Sequence, residues 1–220
     1  GLTLNVRTAD LPKEAATFFR EAAKPSTLWK AIPEDALFAC ATRLHFAAFL
    51  KAFGPFLEAA DRQKLVEKIA DLARPFAETE DLEPVLRGLG PDIGFWVTLP
   101  DPKEKTWVPQ PFFAVRLANT PEGKKAEETA LKGLDFLGRL ACLDDKQFRF
   151  RKEKQGDLEV RYLTHPTKFP TGIRPAFAAK DGYLLLAGTP EGIAQFKAPN
   201  DKELETTEVP LMRVSVKAWR

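Results

Sequence analysis

Apolar side chains recur along this chain with two periods, and each period predicts a different kind of element. Short apolar runs bounded by turn residues, at 93–100 and 111–118, predict two strands that pair as a hairpin. Apolar residues three or four positions apart, such as Phe46, Phe49 and Phe53, predict a helix instead. The pattern therefore indicates a chain that alternates between strands and helices.

The half of the chain at about 1–90 is mainly helical in pattern. An alternating segment around Leu4 predicts a strand, and the helix after it should have Asp10 as its N-cap and Pro12 inside its first turn. The further elements predicted in this half are a strand at 35–44 and helices at 45–53 and 55–74.

One eight-residue phrase occurs twice, as LANTPEGK from Leu117 and as LAGTPEGI from Leu186. In both copies a threonine, Thr120 or Thr189, can cap the free N–H groups of a first helical turn, and the next residue, proline, suits the first helical position. The glutamate that follows is favourable near the positive end of a helix dipole, where it would also repel a phosphate. The phrase therefore predicts a joint between a strand and a helix, used twice in a repeated scaffold.

The half at about 91–220 has mainly the pattern of strands. Gln155-Gly156 and Asp181-Gly182 separate two further pairs of strand-like segments, and the second dipeptide is typical of a two-residue hairpin turn. The helix after Thr120 carries an apolar stripe that includes Leu134 and Leu137. Together these elements predict one α+β domain, with a mostly antiparallel curved sheet, helices packed on one face, and degenerate internal strand–helix repeats.

Composition and charge change this picture little. The 220 residues are 44% hydrophobic, and 33 basic and 31 acidic side chains leave a formal charge of +2, which is typical of globular domains. Basic residues do concentrate on one predicted hairpin, at Arg149, Arg151, Lys152, Lys154 and Arg161. Acidic residues lie among them, so the pattern favours cross-strand charge pairs over nucleic-acid binding.

The two ends of the sequence indicate a fragment. No apolar run reaches the roughly 18 residues that a transmembrane helix needs, and the first residues lack the pattern of a secretory signal. The chain begins at Gly1 without a methionine and stops within an alternating, strand-like pattern. We therefore expect a piece of a longer protein, with no transmembrane segment in this fragment.

Few residues are candidates for chemistry. Cys40 and Cys142 lie in apolar contexts, which favours buried free thiols, with a disulfide as the alternative. His45 falls at the start of a helix and His165 in a solvated loop, and neither belongs to a catalytic or metal-ligating pattern. We therefore expect no catalytic residue, no metal ligands and no cofactor. Trp107, in the polar loop between two strands, is the candidate anchor for a partner, with local packing as the alternative.

Three segments resemble a known kind of protein. They are the hairpin strand around Val160 and Tyr162, the segment PAFAAKDGYLLLAGTPEGI from Pro175, and the segment IPEDALFACATRL from Ile32. In these segments the chain is similar to uncharacterised exported bacterial proteins, a domain of unknown function with repeated strand–helix units. The resemblance implies a periplasmic or cell-envelope location, and it supplies no catalytic residue.

These observations lead to two hypotheses about function. The first is a non-enzymatic binding or assembly module of an exported bacterial protein, with a protein partner. The alternative is a carrier of an apolar ligand or lipid, held between the sheet and the Phe-rich helices, since the chain contains 17 phenylalanines. Neither hypothesis includes a nucleic acid.

Overall fold

The computed structural model describes residues 11–53, 83–100, 108–200 and 212–215. Its described strands form one eight-stranded sheet in which every neighbouring pair is antiparallel. The strands are β1 (Phe38–Arg43), β2 (Leu89–Thr98), β3 (Gln110–Leu117), β4 (Arg149–Gln155), β5 (Leu158–Thr164), β6 (Ala176–Lys180), β7 (Tyr183–Ala187) and β8 (Met212–Val214). Their order across the sheet is β4-β5-β6-β7-β3-β2-β1-β8.

The helices connect these strands. They are α1 (Lys13–Ala22), a short 3-10 helix (Thr27–Lys30), α2 (Phe46–Phe53), α3 (Glu83–Arg87), α4 (Pro121–Asp144) and α5 (Pro190–Gln195). The fold is thus α+β with an antiparallel sheet, as the sequence predicts. The strand around Leu4, the helix at 55–74, Asp10 and Trp107 lie outside the described residues.

The start of α1 differs from its prediction. The helix begins at Lys13, and Pro12 occupies the N-cap position with no side-chain hydrogen bond to the first turn. The prediction that Pro12 lies inside the first turn is therefore wrong by one position. Proline fits here because its fixed φ suits a residue next to the first helical position, and because its missing N–H costs nothing at a helix start.

Both faces of the sheet are buried at β7, where side chains alternate between two cores. Leu185 packs on one face with Ile193 of α5, in a cluster that also holds Leu28 of the 3-10 helix. Leu184 packs on the opposite face with Ala126 of α4. The longest described helix therefore covers one face, and the 3-10 helix and α5 cover the other, so the described helices lie on both faces, whereas the sequence predicted one.

The two copies of the repeated phrase have the same local structure. Thr120 Oγ1 accepts a hydrogen bond from the Gly123 N–H at 3.3 Å, and Thr189 Oγ1 accepts one from the Gly192 N–H at 3.2 Å. A proline follows each threonine at the start of the helix, so the predicted strand-to-helix joint is confirmed at both places.

The two hairpin turns differ in how closely they match prediction. Asp181 and Gly182 have φ values of 51° and 76°, the left-handed conformation that a two-residue hairpin turn requires. In the other hairpin Gln155 pairs with Leu158, so the turn consists of Gly156 and the next residue. That turn lies one residue later than predicted, where Gly156 adopts a φ of 66°.

A buried carboxylate ties the 3-10 helix to the sheet. Asp92 of β2 is only 2% exposed, and its Oδ1 accepts hydrogen bonds from Ser26 Oγ at 2.7 Å and from the Thr27 N–H at 3.0 Å. Thr27 Oγ1 donates to Oδ2 at 3.3 Å, and Arg116 of β3 lies 3.8 Å from the same oxygen. These hydrogen bonds compensate for burying the charge of the carboxylate. Asp92 thereby caps the Thr27 N–H, and Ser26 Oγ accepts from the Leu28 N–H of the same 3-10 helix.

Candidate docking surface on helix α4 and strand β4

The C-terminal half of α4 exposes large apolar side chains to solvent. Phe136 is 46% exposed, Leu137 52%, Leu140 48% and Leu143 79%. Leu137 belongs to the apolar stripe of this helix, yet it lies half outside the core. Contiguous exposed apolar surface is uncommon on monomeric proteins and marks interaction sites. We call these four side chains the apolar strip.

The strip is exposed because α4 crosses the sheet obliquely. Near its start, Ala126 packs with Leu117 of β3 and Leu184 of β7, in the interior of the sheet. Near its end, Gly138 lies against Phe150 of β4, so closely that an added Cβ would approach the Phe150 ring to 2.7 Å. The helix therefore leaves the centre of the sheet and ends over β4, the last described strand on that side.

An open groove of about 910 Å³ lies between the last turns of α4 and β4. Its apolar lining consists of Cys142, Leu143, Phe148 and Phe150. Four cationic residues complete the lining, namely Arg139, Lys146, Arg149 and Lys152. The groove thus continues the apolar strip and surrounds it with positive charge.

Some of the cations on this side of the sheet are neutralised. Lys152 of β4 lies 2.8 Å from Asp135 of α4 and 3.8 Å from Glu159 of β5. Arg161 of β5 approaches Glu159 at 2.6 Å, and its Nε lies 2.9 Å from Asp135 Oδ1, within ion-pair distance but without hydrogen-bond alignment. A predicted cross-strand charge pair is therefore confirmed for Lys152 and Glu159, whereas Arg161 pairs with Glu159 of its own strand and with the helix carboxylate Asp135.

Other cations face solvent without such a partner. Among the described residues, no carboxylate forms an ion pair with Arg139, Lys146, Arg151 or Lys154. All four are exposed. The outer side of β4 and the groove above it consequently carry a net positive charge next to their apolar surface.

His165, Asp145 and Lys168 form a polar cluster, which we call the clasp, and it fixes the end of α4 below the groove. His165 follows β5, and its side chain is 2% exposed, so the prediction of a solvated loop residue is wrong. Its Nδ1 accepts hydrogen bonds from the N–H groups of Thr167 at 3.1 Å and Lys168 at 2.9 Å. Because Nδ1 accepts, the neutral ring carries its proton on Nε2, which donates to Asp145 Oδ2 at 3.2 Å. Both ring nitrogens of His165 thus form hydrogen bonds within the protein.

The carboxylate of this clasp is strongly stabilised in its charged form. A hydrogen bond from Lys168 and the backbone N–H of Gln147 hold the pKa of Asp145 well below its usual range. Lys168 Nζ lies 2.9 Å from Asp145 Oδ2, and the Phe148 ring lies 4.6 Å from the His165 ring. The clasp therefore holds one wall of the groove, Phe148, in a fixed position relative to the last turn of α4.

A second cavity, of about 300 Å³, lies between α1 and α2. Phe18 forms part of its lining, together with the charged Lys13, Glu21 and Arg43 and with His45, which precedes α2. This volume is at the lower end of the range for small-ligand sites. Charged side chains line this cavity, but most of its lining surface is apolar, as it is in the α4–β4 groove, so the apolar-ligand hypothesis stays a prediction.

Of the remaining candidate residues that the structure describes, Cys142 lines the groove, whereas Cys40 and His45 lie elsewhere. Cys40 in β1 and Cys142 in α4 are free thiols, so the disulfide alternative does not apply, but both are partly exposed and the prediction that they are buried is wrong. Trp107 cannot be placed relative to the groove, since it lies outside the described residues. In the described ranges no three His, Cys, Asp or Glu side chains are grouped as metal ligands would be. None of the helices that the structure describes is long and apolar enough to span a bilayer.

The apolar strip is not among the features predicted from the sequence, although the chain contains a signal for it. Between Leu134 and Leu143 the sequence LDFLGRLACL has apolar residues at seven of ten positions, counting Ala141 and Cys142, around most of the helix circumference. A helix that packs one face on a sheet needs only a narrower stripe. The excess of apolar residues in this segment therefore indicated a second contact surface.

No protein-family model, curated protein sequence or solved structure matches this chain. The resemblance to exported bacterial proteins and the compartment that it implies therefore remain expectations.

Proposed function

We propose that this chain is a non-enzymatic binding or assembly module that docks a protein partner on the apolar strip and the adjoining groove. The observation that carries the proposal is the exposure of Phe136, Leu137, Leu140 and Leu143 beside a cation-lined groove. In solution such a surface is stabilised when a partner removes it from water, at roughly 25 cal/mol per Å² of apolar area.

The clasp supports a non-enzymatic role. A histidine beside an aspartate is a common acid–base pair, but here His165 uses both ring nitrogens in hydrogen bonds to the protein. Taking part in proton transfer would require the loss of at least one of these bonds. The pair therefore fits the role of a structural clamp for α4 better than that of a catalyst.

Site-specific photo-crosslinking tests the proposal. A benzoylphenylalanine side chain is introduced at Leu143, and the protein is incubated with cell-envelope and cytosolic fractions of the source cells. The matched control carries the same group at Glu128, an exposed polar position on the same helix. We expect a discrete protein adduct from Leu143, mainly in the envelope fraction, and none from Glu128.

A second variant links the adduct to the strip. Leu140→Asp should reduce the yield from Leu143 about tenfold, because a charge at the centre of an apolar interface costs more than 1.4 kcal/mol of binding. Equal adducts from Leu143 and Glu128, or adducts with lipid alone, would contradict the proposal.

A further inference from the structure

The groove lies directly above β4, the edge strand of the sheet that the structure describes. β4 pairs with β5 on one side, and no described strand pairs with it on the other side. Most of its side chains are exposed over the seven residues from Arg149 to Gln155. A strand at the edge of a sheet presents backbone N–H and C=O groups that can pair with another extended segment.

The position of α4 makes an additional strand favourable at this edge. A strand added to β4 would lie about 4.8 Å beyond it, and every second side chain would point to the face on which α4 packs. Those side chains would enter the groove beside Leu143, Phe148 and Phe150. Among the described strands, the sheet thus ends one strand short of covering the apolar surface of α4.

The charges on β4 indicate whether the added strand would be a second copy of β4 or an acidic segment of another protein. β4 carries four basic residues, Arg149, Arg151, Lys152 and Lys154, against one acidic residue, Glu153. Antiparallel pairing of two copies of β4 would bring these like charges together, which destabilises a cross-strand pair. Carboxylates that alternate with side chains in the groove would point to the opposite face of the sheet, where Arg151 lies without a described carboxylate partner. Lys152 and Lys154 share the face of α4, and Lys152 is already paired with Asp135 and Glu159.

We propose that β4 accepts, as an added antiparallel strand, an extended segment of a partner protein in which apolar residues alternate with acidic ones. This inference rests on the proposed docking function and names the chemistry of the partner. Backbone hydrogen bonds to β4 hold the segment, its apolar side chains fill the groove under α4, and its carboxylates neutralise the edge.

A defined peptide tests the inference. The probe is a peptide of about nine residues that alternates valine and glutamate, enough to cover the length of β4. Amide hydrogen exchange of β4 is followed by NMR with and without the peptide. We expect every second amide of β4 to gain protection, because only alternate N–H groups of an edge strand point outward. Protection elsewhere, without β4, would overturn the inference.

Two N-methylated versions of the peptide make the test specific for strand pairing. One is methylated on its odd amides and the other on its even amides. In an added strand only one set donates to β4, so one version should bind like the parent and the other should lose at least about tenfold in affinity. Equal binding of the two versions would overturn strand addition.

Variants of the chain test the role of charge. Arg151→Glu should weaken the peptide about three- to fivefold, whereas Lys154→Glu, which reverses a charge on the other face of the same strand, and Lys124→Glu, which reverses an exposed lysine elsewhere, should change its affinity much less. A valine–lysine peptide should not bind. Tighter binding of an oligonucleotide of equal charge than of the acidic peptide would assign the edge to nucleic acid and overturn the inference.

The two proposals fail separately. Adducts at Leu143 without protection of β4 amides would overturn strand addition and leave the docking function in place. Absence of adducts at Leu143 would overturn the docking function, whatever the peptide does.

Discussion

Replacing Asp92 with alanine should remove the main polar anchor between the 3-10 helix and the sheet. Asp92 Oδ1 accepts from Ser26 Oγ at 2.7 Å and from the Thr27 N–H at 3.0 Å, and Oδ2 accepts from Thr27 Oγ1 at 3.3 Å. Ser26 is 1% exposed and Thr27 6%, so water cannot readily replace the carboxylate. The variant therefore leaves buried donors without an acceptor and removes the carboxylate that lies 3.8 Å from Arg116.

The expected cost follows from those donors. An unsatisfied buried donor costs about 1–3 kcal/mol, and Asp92→Ala leaves two well-aligned ones, so the free energy of unfolding should fall by about 3–5 kcal/mol. Asp92→Asn keeps an oxygen that can accept both hydrogen bonds of Oδ1 and should cost only about 1–2 kcal/mol. For a chain of this size, each kcal/mol corresponds to a shift in Tm of about 2–4 °C.

Urea denaturation followed by circular dichroism measures the difference. The matched control is Asp144→Ala, which removes an exposed carboxylate at the end of α4 and should change stability by less than about 0.5 kcal/mol. A loss below about 1 kcal/mol for Asp92→Ala would refute the reasoning. So would an equal loss for the asparagine and alanine variants, because the cost would then not come from orphaned donors.

Three further predictions concern the joints, the clasp and the groove. Thr120→Ala and Thr189→Ala should each lower stability by about 1 kcal/mol in thermal melts, and valine in place of alanine should not restore it, since the lost group is the capping oxygen. The pKa of Asp145 is depressed, so its stabilisation is fully present above the ordinary value of 3.8 and is lost as pH falls through the lower folded-state pKa. Asp145→Asn should therefore be less stable than the parent at pH 7, and a difference that stayed constant down to pH 2 in acid titrations would contradict this. Gly138→Ala should cost about 1–3 kcal/mol through contact with the Phe150 ring, and a double-mutant cycle with Phe150→Leu should recover part of that cost if the contact is the cause.

Elements with strong local signals were predictable from sequence. The hairpin at Asp181 and Gly182 and the helix starts at Thr120 and Thr189 depend on side chains within a few residues of one another. Local rules describe such features well, because the groups that form them are adjacent in the chain. The position of Pro12 shows the usual limit of such rules, an error of about one residue at a helix end.

The candidate site was not predictable in the same way. The sequence suggested charge pairs on the β4–β5 hairpin, but Asp135, which joins Lys152 and Arg161, comes from a helix that precedes the hairpin. His165 looked like a loop residue because its partner Asp145 lies 20 residues earlier. Contacts of this kind depend on how elements pack, which no local pattern contains.

By itself the sequence determined the alternation of strands and helices, the turn residues and the two matching joints, since each depends on backbone preferences and on hydrogen bonds within one turn. Only the tertiary structure decided on which face of the sheet the helix after each joint packs. β3 and β7 are antiparallel neighbours, so Thr120 and Thr189 lie at opposite ends of the sheet, and α4 and α5 pack on opposite faces. The physical reason is that a cap fixes where a helix begins, whereas the burial of its apolar side chains fixes the face of the sheet that the helix covers. The same burial determines how much of α4 stays exposed over the edge at β4.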